Sequence, residues 1–310
     1  MTSAATLESR ETAGRAGATG LARRGGGGGG GSVLAALWAL YVLTLRQHLH
    51  GRRWIVTAVL FLLPAGLAVF VRATADAVPS VALEFVFAFM FIPQGLLPLV
   101  ALLYASGMVQ DEQEEQTITY LLIRPIPKWA LYGVKWLATV TTTVTLTALF
   151  TGLTYAAIYV GTEGGGTAAV SRAVKAAGIH SLAVVAYCSL FGVMSLLTRR
   201  TLIVGILYAV IFEGLLANLP LSIRLITVIY YARVIAFRTL GFVIHLPPGP
   251  QQDIAAVAWR IDVVNDPQLL EHPTVRGCVM VLLGASLVCT AVGAFVCSRR
   301  EFYVKTPEKG

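Results

Sequence analysis

Apolar residues run along this chain in blocks of about 18 to 25, and polar residues collect between the blocks rather than alternating within them. A helix needs about 20 mostly apolar residues to cross the roughly 30 Å hydrocarbon layer. Lipid offers no partner for free backbone groups, so a closed hydrogen-bonded element is required. Strands of a barrel would alternate over about ten residues. These blocks do not, and the pattern predicts an all-α polytopic membrane protein. Six transmembrane helices are predicted at Trp54–Val71, Phe85–Val109, Trp136–Val160, Ala176–Thr198, Leu202–Leu219 and Gly277–Cys297. Pro93 and Pro98 should kink the second.

The flanks read differently. Residues 1–32 hold almost no large apolar side chains and end in ARRGGGGGGGS, which predicts a disordered, Gly-rich cytoplasmic leader. Seven glycines without a following Gly-Lys-Ser/Thr make no phosphate loop. The block Val33–Leu45 is too short to span, and it runs into RQHLHGRR. An interfacial elbow helix over 33–53 is expected, with Trp38 and Tyr41 at headgroup level and Arg46, Arg52 and Arg53 on phosphates. His48 and His50, two apart, share no helical face and form no metal pair.

Composition sharpens this picture. Only 13% of the 310 residues are charged and the mean hydropathy is +0.73. The net charge of +8 comes from basic residues at block ends, which fits membrane topology and not nucleic acid. With both termini inside, 16 of the 24 Lys and Arg residues lie on the cytoplasmic side. The expectation is a multi-pass protein of the plasma (inner) membrane with both termini cytoplasmic, a 299–310 cytoplasmic tail and a six-helix transmembrane domain over 54–298. Cys188, Cys278, Cys289 and Cys297 fall in predicted spans without any C-x-x-C, and read as small apolar residues.

Residues 220–275 are expected to form an extracytoplasmic loop. Within it, LSIRLITVIYYARVIAFRTLGFVIHL is long enough to span but carries Arg224, Arg233 and Arg238. A central Arg costs about 2.5–3.5 kcal/mol on insertion scales, which favours a surface or re-entrant course. The following PPGPQQDIAAVAWRIDVVNDPQLLEHP reads as Pro-broken polar loop.

The densest polar cluster is QDEQEEQTITYLLIRPIPKW at 110–129. Asp111, Glu112, Glu114 and Glu115 cannot enter hydrocarbon, so the second span should emerge near Val109. The same carboxylates suit the N-terminus of a short helix, with Ile118, Leu121 and Leu122 on one face and Pro125 and Pro127 closing it. From the residues alone this segment is either an amphipathic cytoplasmic helix with a task or a solvated loop lying on the membrane.

The stretch SGMVQDEQEEQTITYLLIRPIPKWALYGVKWLA resembles the cytoplasmic loop of the ABC-2 type permeases, the membrane subunits of ATP-driven transporters. Glu112, Glu114, Thr117, Ile118, Leu121, Leu122, Pro125, Lys128 and Lys135 match that pattern, while Gln116 and Val134 depart from it. FEGLLANLP at 212–220 and FVCSRREFYVK near the end also resemble the family. The resemblance implies that 110–129 is a coupling helix docking on an ABC ATPase subunit through Glu112, Glu114, Glu115, Thr117, Tyr120, Leu121, Leu122, Arg124, Pro125 and Lys128. It implies a permease homodimer or heterodimer in membrane lipid with two ATPases, ATP bound on the partner, and neither nucleic acid nor a cofactor, catalytic residue or metal on this chain. The expected activity is transport, with export as the expected direction.

Glu213 is the one acidic residue inside a predicted span. It either lines a translocation path or protomer contact, or sits as a hydrogen-bonded carboxyl near Asn218. Other classes stay open: a proton-coupled secondary carrier using Glu213, a non-transporting membrane anchor, and an intramembrane protease, for which His180 is the sole histidine well inside a span.

Overall fold

A computed structural model describes residues 29–75, 78–114, 127–162, 165–219, 222–245, 251–259 and 273–299, with side chains left aside at 29–32, 109–114, 222 and 245. The chain divides into two units, Met1–Trp38 and Ala39–Gly310. The described part of the first unit is the opening of helix α1, Gly29–His50. This helix contains the predicted Val33–Leu45 block but starts within the last glycines of the leader. In the second unit α1 places Tyr41 Oη as donor to Thr141 Oγ1 at 3.2 Å and buries His48 against Tyr104.

Six helices are long and apolar enough to span, as the apolar blocks predict. They are α2 (Arg53–Thr74), the spanning part Ser80–Met108 of α3, α4 (Lys128–Tyr159), α5 (Thr167–Leu197), α6 (Thr201–Asn218) and α9 (Val275–Arg299). Helix α3 covers 80–114 as one turn at Ser80–Leu83, a π-wound stretch Glu84–Leu96 and an α-helix Leu97–Glu114. Pro93 lies in the π-wound stretch, where the wider winding absorbs the missing amide hydrogen. Helix α6 also widens at Ala209–Leu215 before closing in one tight turn, Leu216–Asn218.

Several boundaries move. Helix α3 begins before Phe85, so Glu84 lies inside it, and it runs past Val109 to Glu114. Helices α4 and α5 begin eight and nine residues before their predicted starts and carry Lys128, Lys135, Arg172 and Lys175. At 32 residues α4 is ~48 Å long, well beyond the hydrocarbon thickness, so its charged ends reach past the apolar layer.

Helices α3, α4 and α5 form the core. Their facing surfaces bury Tyr104, Tyr132, Tyr187, Phe89, Phe191 and Ile158 completely. Without a hydrophobic drive between helices in lipid, close approach and interhelical hydrogen bonds supply the attraction. Thr139, Thr143, Thr147 and Thr151 recur at helical spacing on the buried face of α4. Thr143 donates back to Thr139 O at 2.9 Å, so a small hydroxyl enters the core at little cost. Ser189 of α5 accepts from Trp136 Nε1 at 3.1 Å and from Thr290 Oγ1 of α9 at 3.3 Å. Helices α2 and α9 bury one stripe each, Thr57–Phe61–Pro64–Ala65–Ala68 and Cys278–Leu282–Ser286–Gly293–Cys297, and present the rest of their apolar surface outward. All four cysteines are free.

Glycines set the closest approaches. A Cβ at Gly293 of α9 would overlap the Tyr132 ring, and one at Gly192 of α5 would lie 2.9 Å from Tyr132 Oη. A Cβ at Gly205 of α6 would overlap Leu102 of α3.

The segment after α6 does not span. One tight turn at Ser222–Ile226 leads into α7, Val228–Leu240, which at 13 residues is ~20 Å long. It is no surface helix either, since Ile229, Tyr230, Ala232, Arg233, Val234, Ile235 and Ala236 are buried against α5, α9 and their neighbours. A two-stranded antiparallel ribbon follows, with β1 (Val243–His245) pairing β2 (Gln251–Asp253) so that Ile244 faces Gln252. The short helix α8, Ile254–Trp259, then seats Trp259 among Phe85, Phe89 and Phe242. Part of the expected polar loop is thus folded, because its Trp and Ala residues complete an aromatic cluster.

Gly293→Ala is expected to destabilise the protein by about 1–3 kcal/mol through overpacking against Tyr132. Gly152→Ala, where a Cβ meets nothing within 4 Å, should be near neutral. Melting temperatures of the detergent-purified variants check both.

Candidate functional site

The residues with chemical potential gather at the two ends of the bundle. At the end that carries the 110–129 segment, the backbone of α3 places Asp111, Glu112 and Glu114 in its last turn. They therefore continue a long helix that begins well before them and do not open a short one. Glu115, Thr117, Ile118, Tyr120, Leu121, Leu122, Arg124 and Pro125 lie outside the described residues. Pro127 caps α4, Lys128 opens it, and the Lys128 carbonyl accepts from Cys297 Sγ at 3.5 Å.

Two side chains just inside α4 hold this end together. Lys135 is buried, and its Nζ donates to Met108 O at 2.9 Å. That bond ties the helices on either side of the acidic segment to each other, 27 residues apart in sequence. Three residues earlier, Tyr132 fills the space left by Gly192 and Gly293.

At the opposite end two buried carboxylates organise everything. Glu213, on the π-wound part of α6, is fully buried. Its Oε1 accepts from the Val228 amide at 3.1 Å and from Tyr208 Oη at 3.2 Å, and its Oε2 accepts from the Ile229 amide at 3.1 Å. These amides are the first two of α7. A carboxylate at a helix N-terminus satisfies orphan donors and matches the dipole. Asn218 lies nearby but bonds to Arg233 Nη1, at 3.0 Å, and not to Glu213.

Glu84, one residue ahead of the predicted second span, is the other. It is fully buried and accepts from Tyr155 Oη at 2.6 Å, Tyr159 Oη at 2.5 Å and Arg172 Nε at 2.8 Å. Arg172 then donates from Nη1 to Leu240 O at 2.8 Å and from Nη2 to Gly241 O at 3.3 Å, the last carbonyls of α7. One short helix thus has an acid at its amino end and a base at its carboxyl end, both supplied by spanning helices. A fourth charge lies midway. Arg233 reaches Ala217 O at 3.4 Å and Gln94 Oε1 at 3.2 Å, and stacks on Trp259.

Sequence reasoning singled out Glu213 but missed Glu84, Tyr155, Tyr159 and Arg172. The available signal was the Tyr pair at i and i+4 on α4, together with a carboxylate four residues into the second apolar run. His180 pairs through Nδ1 with Thr151 Oγ1 at 3.0 Å and packs on Phe89, a core arrangement. Among the described residues no group of three His, Cys, Asp or Glu side chains is placed to hold a metal ion.

Six spans, an acidic segment between the second and third, and a half-length helix after the fifth define a polytopic membrane protein. The sequence profile of the ABC-2 family transporter proteins matches residues 48–215, more than half of the chain, and the chain belongs to that family. It is therefore a multi-pass membrane component of an ABC-type transporter, in line with the resemblance carried by the 110–129 segment. Among curated proteins none matches.

Glu84→Ala or Arg172→Ala should each cost about 3–5 kcal/mol, because each strands a buried charge. The double variant is expected to cost clearly less than the sum. Thermal unfolding of all three in one detergent reads the coupling.

Proposed function

We propose that this chain is the permease subunit of an ABC-2 exporter, pairing with a second permease and with separate ATPase subunits that dock on residues 110–129. The family match over 48–215 carries the reading. It implies an ABC ATPase as partner, since this sequence has no G-x-x-x-x-G-K-S/T of its own.

The described flanks support the docking assignment. Helix α3 delivers Asp111, Glu112 and Glu114 to the end of the bundle, and α4 restarts at Lys128 after a 13-residue connection. The acidic residues offer charge complementarity, while Tyr120, Leu121 and Leu122 offer an apolar anchor. The Lys135 bond to Met108 O would make both flanking helices respond together to a displacement of the connection. In this reading both termini and the 110–129 segment are cytoplasmic in the plasma (inner) membrane, and α7 lies toward the outer face. ATP acts on the partner, and no residue of this chain takes part in bond breaking. Glu213, with both oxygens on the first amides of α7, serves as a cap in this reading.

Co-purification tests the docking site. The tagged full chain from its native host is expected to recover a Walker-motif ATPase, and Leu121→Asp should reduce recovery at least tenfold. Undiminished recovery would place docking elsewhere. The purified chain alone should hydrolyse no ATP, and robust hydrolysis without a partner would reject the subunit assignment. In a background without native cysteines, Thr162→Cys is expected to react with an impermeant maleimide from outside and Arg200→Cys only from inside; the reverse pattern would invert the topology.

A further inference from the structure

Helices α2 and α4 leave between them a groove of about 770 Å³, lined by Leu62, Ala65, Gly66 and Val69 on one wall and by Leu153 and Ala156 on the other. Arg72 closes it at the end away from the 110–129 segment. Its Nη1 donates to Val160 O at 2.7 Å and to Ala157 O at 3.2 Å, the terminal carbonyls of α4. This fixes the guanidinium plane while Nε and Nη2 make no hydrogen bond among the described residues, and no carboxylate there pairs with it. Gly161 follows at a positive φ of 78° and lies beside Nη2, about 4.0 Å from where its Cβ would stand.

We propose that this groove is a binding site for one anionic phospholipid, whose phosphate is held by Nε and Nη2 of Arg72 and whose acyl chain lies between α2 and α4. Three observations select this occupant. From Leu62 to Arg72 the groove wall rises ~15 Å, the depth of a single leaflet. The walls are aliphatic, and Gly66 and Ala156 keep them low enough for a chain to sit between the helices. Two parallel N–H donors on a pre-oriented guanidinium match phosphate oxygens, a geometry a lysine could not offer. The inference stands apart from the ATPase docking assignment, because it uses neither the 110–129 segment nor the partner.

The full chain, purified in mild detergent, can be labelled with a photoactivatable phosphatidylglycerol carrying a diazirine in its acyl chain. Label mapped by peptide mass spectrometry is expected on the facing stretches 62–73 and 153–160. Arg72→Gln should lower it at least fivefold. Gly66→Leu should do the same by filling the floor, where a Cβ has nothing within 4 Å. An unchanged melting temperature for Gly66→Leu verifies that the groove, not the fold, was altered. Millimolar inorganic phosphate should leave the label in place. Label retained in both variants overturns the proposal. So does displacement by phosphate, which would mark a simple anion site, and so does a Gly66→Leu chain that passes from dimer to monomer, which would make a second copy the occupant.

Discussion

A helix that stops inside a membrane bundle must satisfy its own ends, and the half-length helix α7 shows what that demands. Its first amides and last carbonyls lie where water is scarce, and each unsatisfied group costs several kcal/mol in hydrocarbon. The protein answers with Glu213 at one end and Arg172 at the other. Both side chains oppose the helix dipole, so the arrangement is favourable twice over, as hydrogen bonding and as electrostatics. Everything else at this end follows. Arg172 needs a counter-charge, Glu84 provides it, and Tyr155 and Tyr159 fill the remaining acceptor sites on Glu84. Glu213 and Arg233 add one charge of each sign, so these four groups comprise two acids and two bases with no net charge.

This network also explains the local winding of the spanning helices. Glu84 opens the π-wound part of α3 and Glu213 lies in the π-wound part of α6. The wider winding rotates the following side chains relative to an α-helix, and in both helices a carboxylate belongs to the widened stretch. The same stretch of α3 supplies Gln94 to Arg233.

Much of the architecture was legible in the apolar blocks, because membrane thickness imposes a length that single sequences display. Six spans and their order could be read directly, and the three Arg residues of 221–246 correctly argued against a seventh. Less could be read at the ends. Glu84 lies one residue outside the span predicted from Phe85 but inside the helix, which begins at Ser80. Its partners are 71 to 88 residues away, and no local pattern announces such distant bonds. The Arg residues argued for a surface or re-entrant course, and the surface alternative fails because Arg233, stacked on Trp259 and bonded to Ala217 O, Asn218 Oδ1 and Gln94 Oε1, is held inside the bundle. The acidic cluster was read as the start of a helix, whereas Asp111, Glu112 and Glu114 complete one. Here the family pattern carried more information than local helix rules, and the apolar residues Leu121 and Leu122 remain known from sequence alone.

Helix α4 is gripped at two places about 35 Å apart along its axis. Near its start the Tyr132 ring is seated between two glycines of neighbouring helices, and near its end two tyrosines hold Glu84. A rod clamped this way behaves as a torsion shaft. Close packing leaves little room for bending or rotamer changes between the collars, so a rotation at the lower one is passed toward the upper one, where hydrogen bonds surround a buried carboxylate.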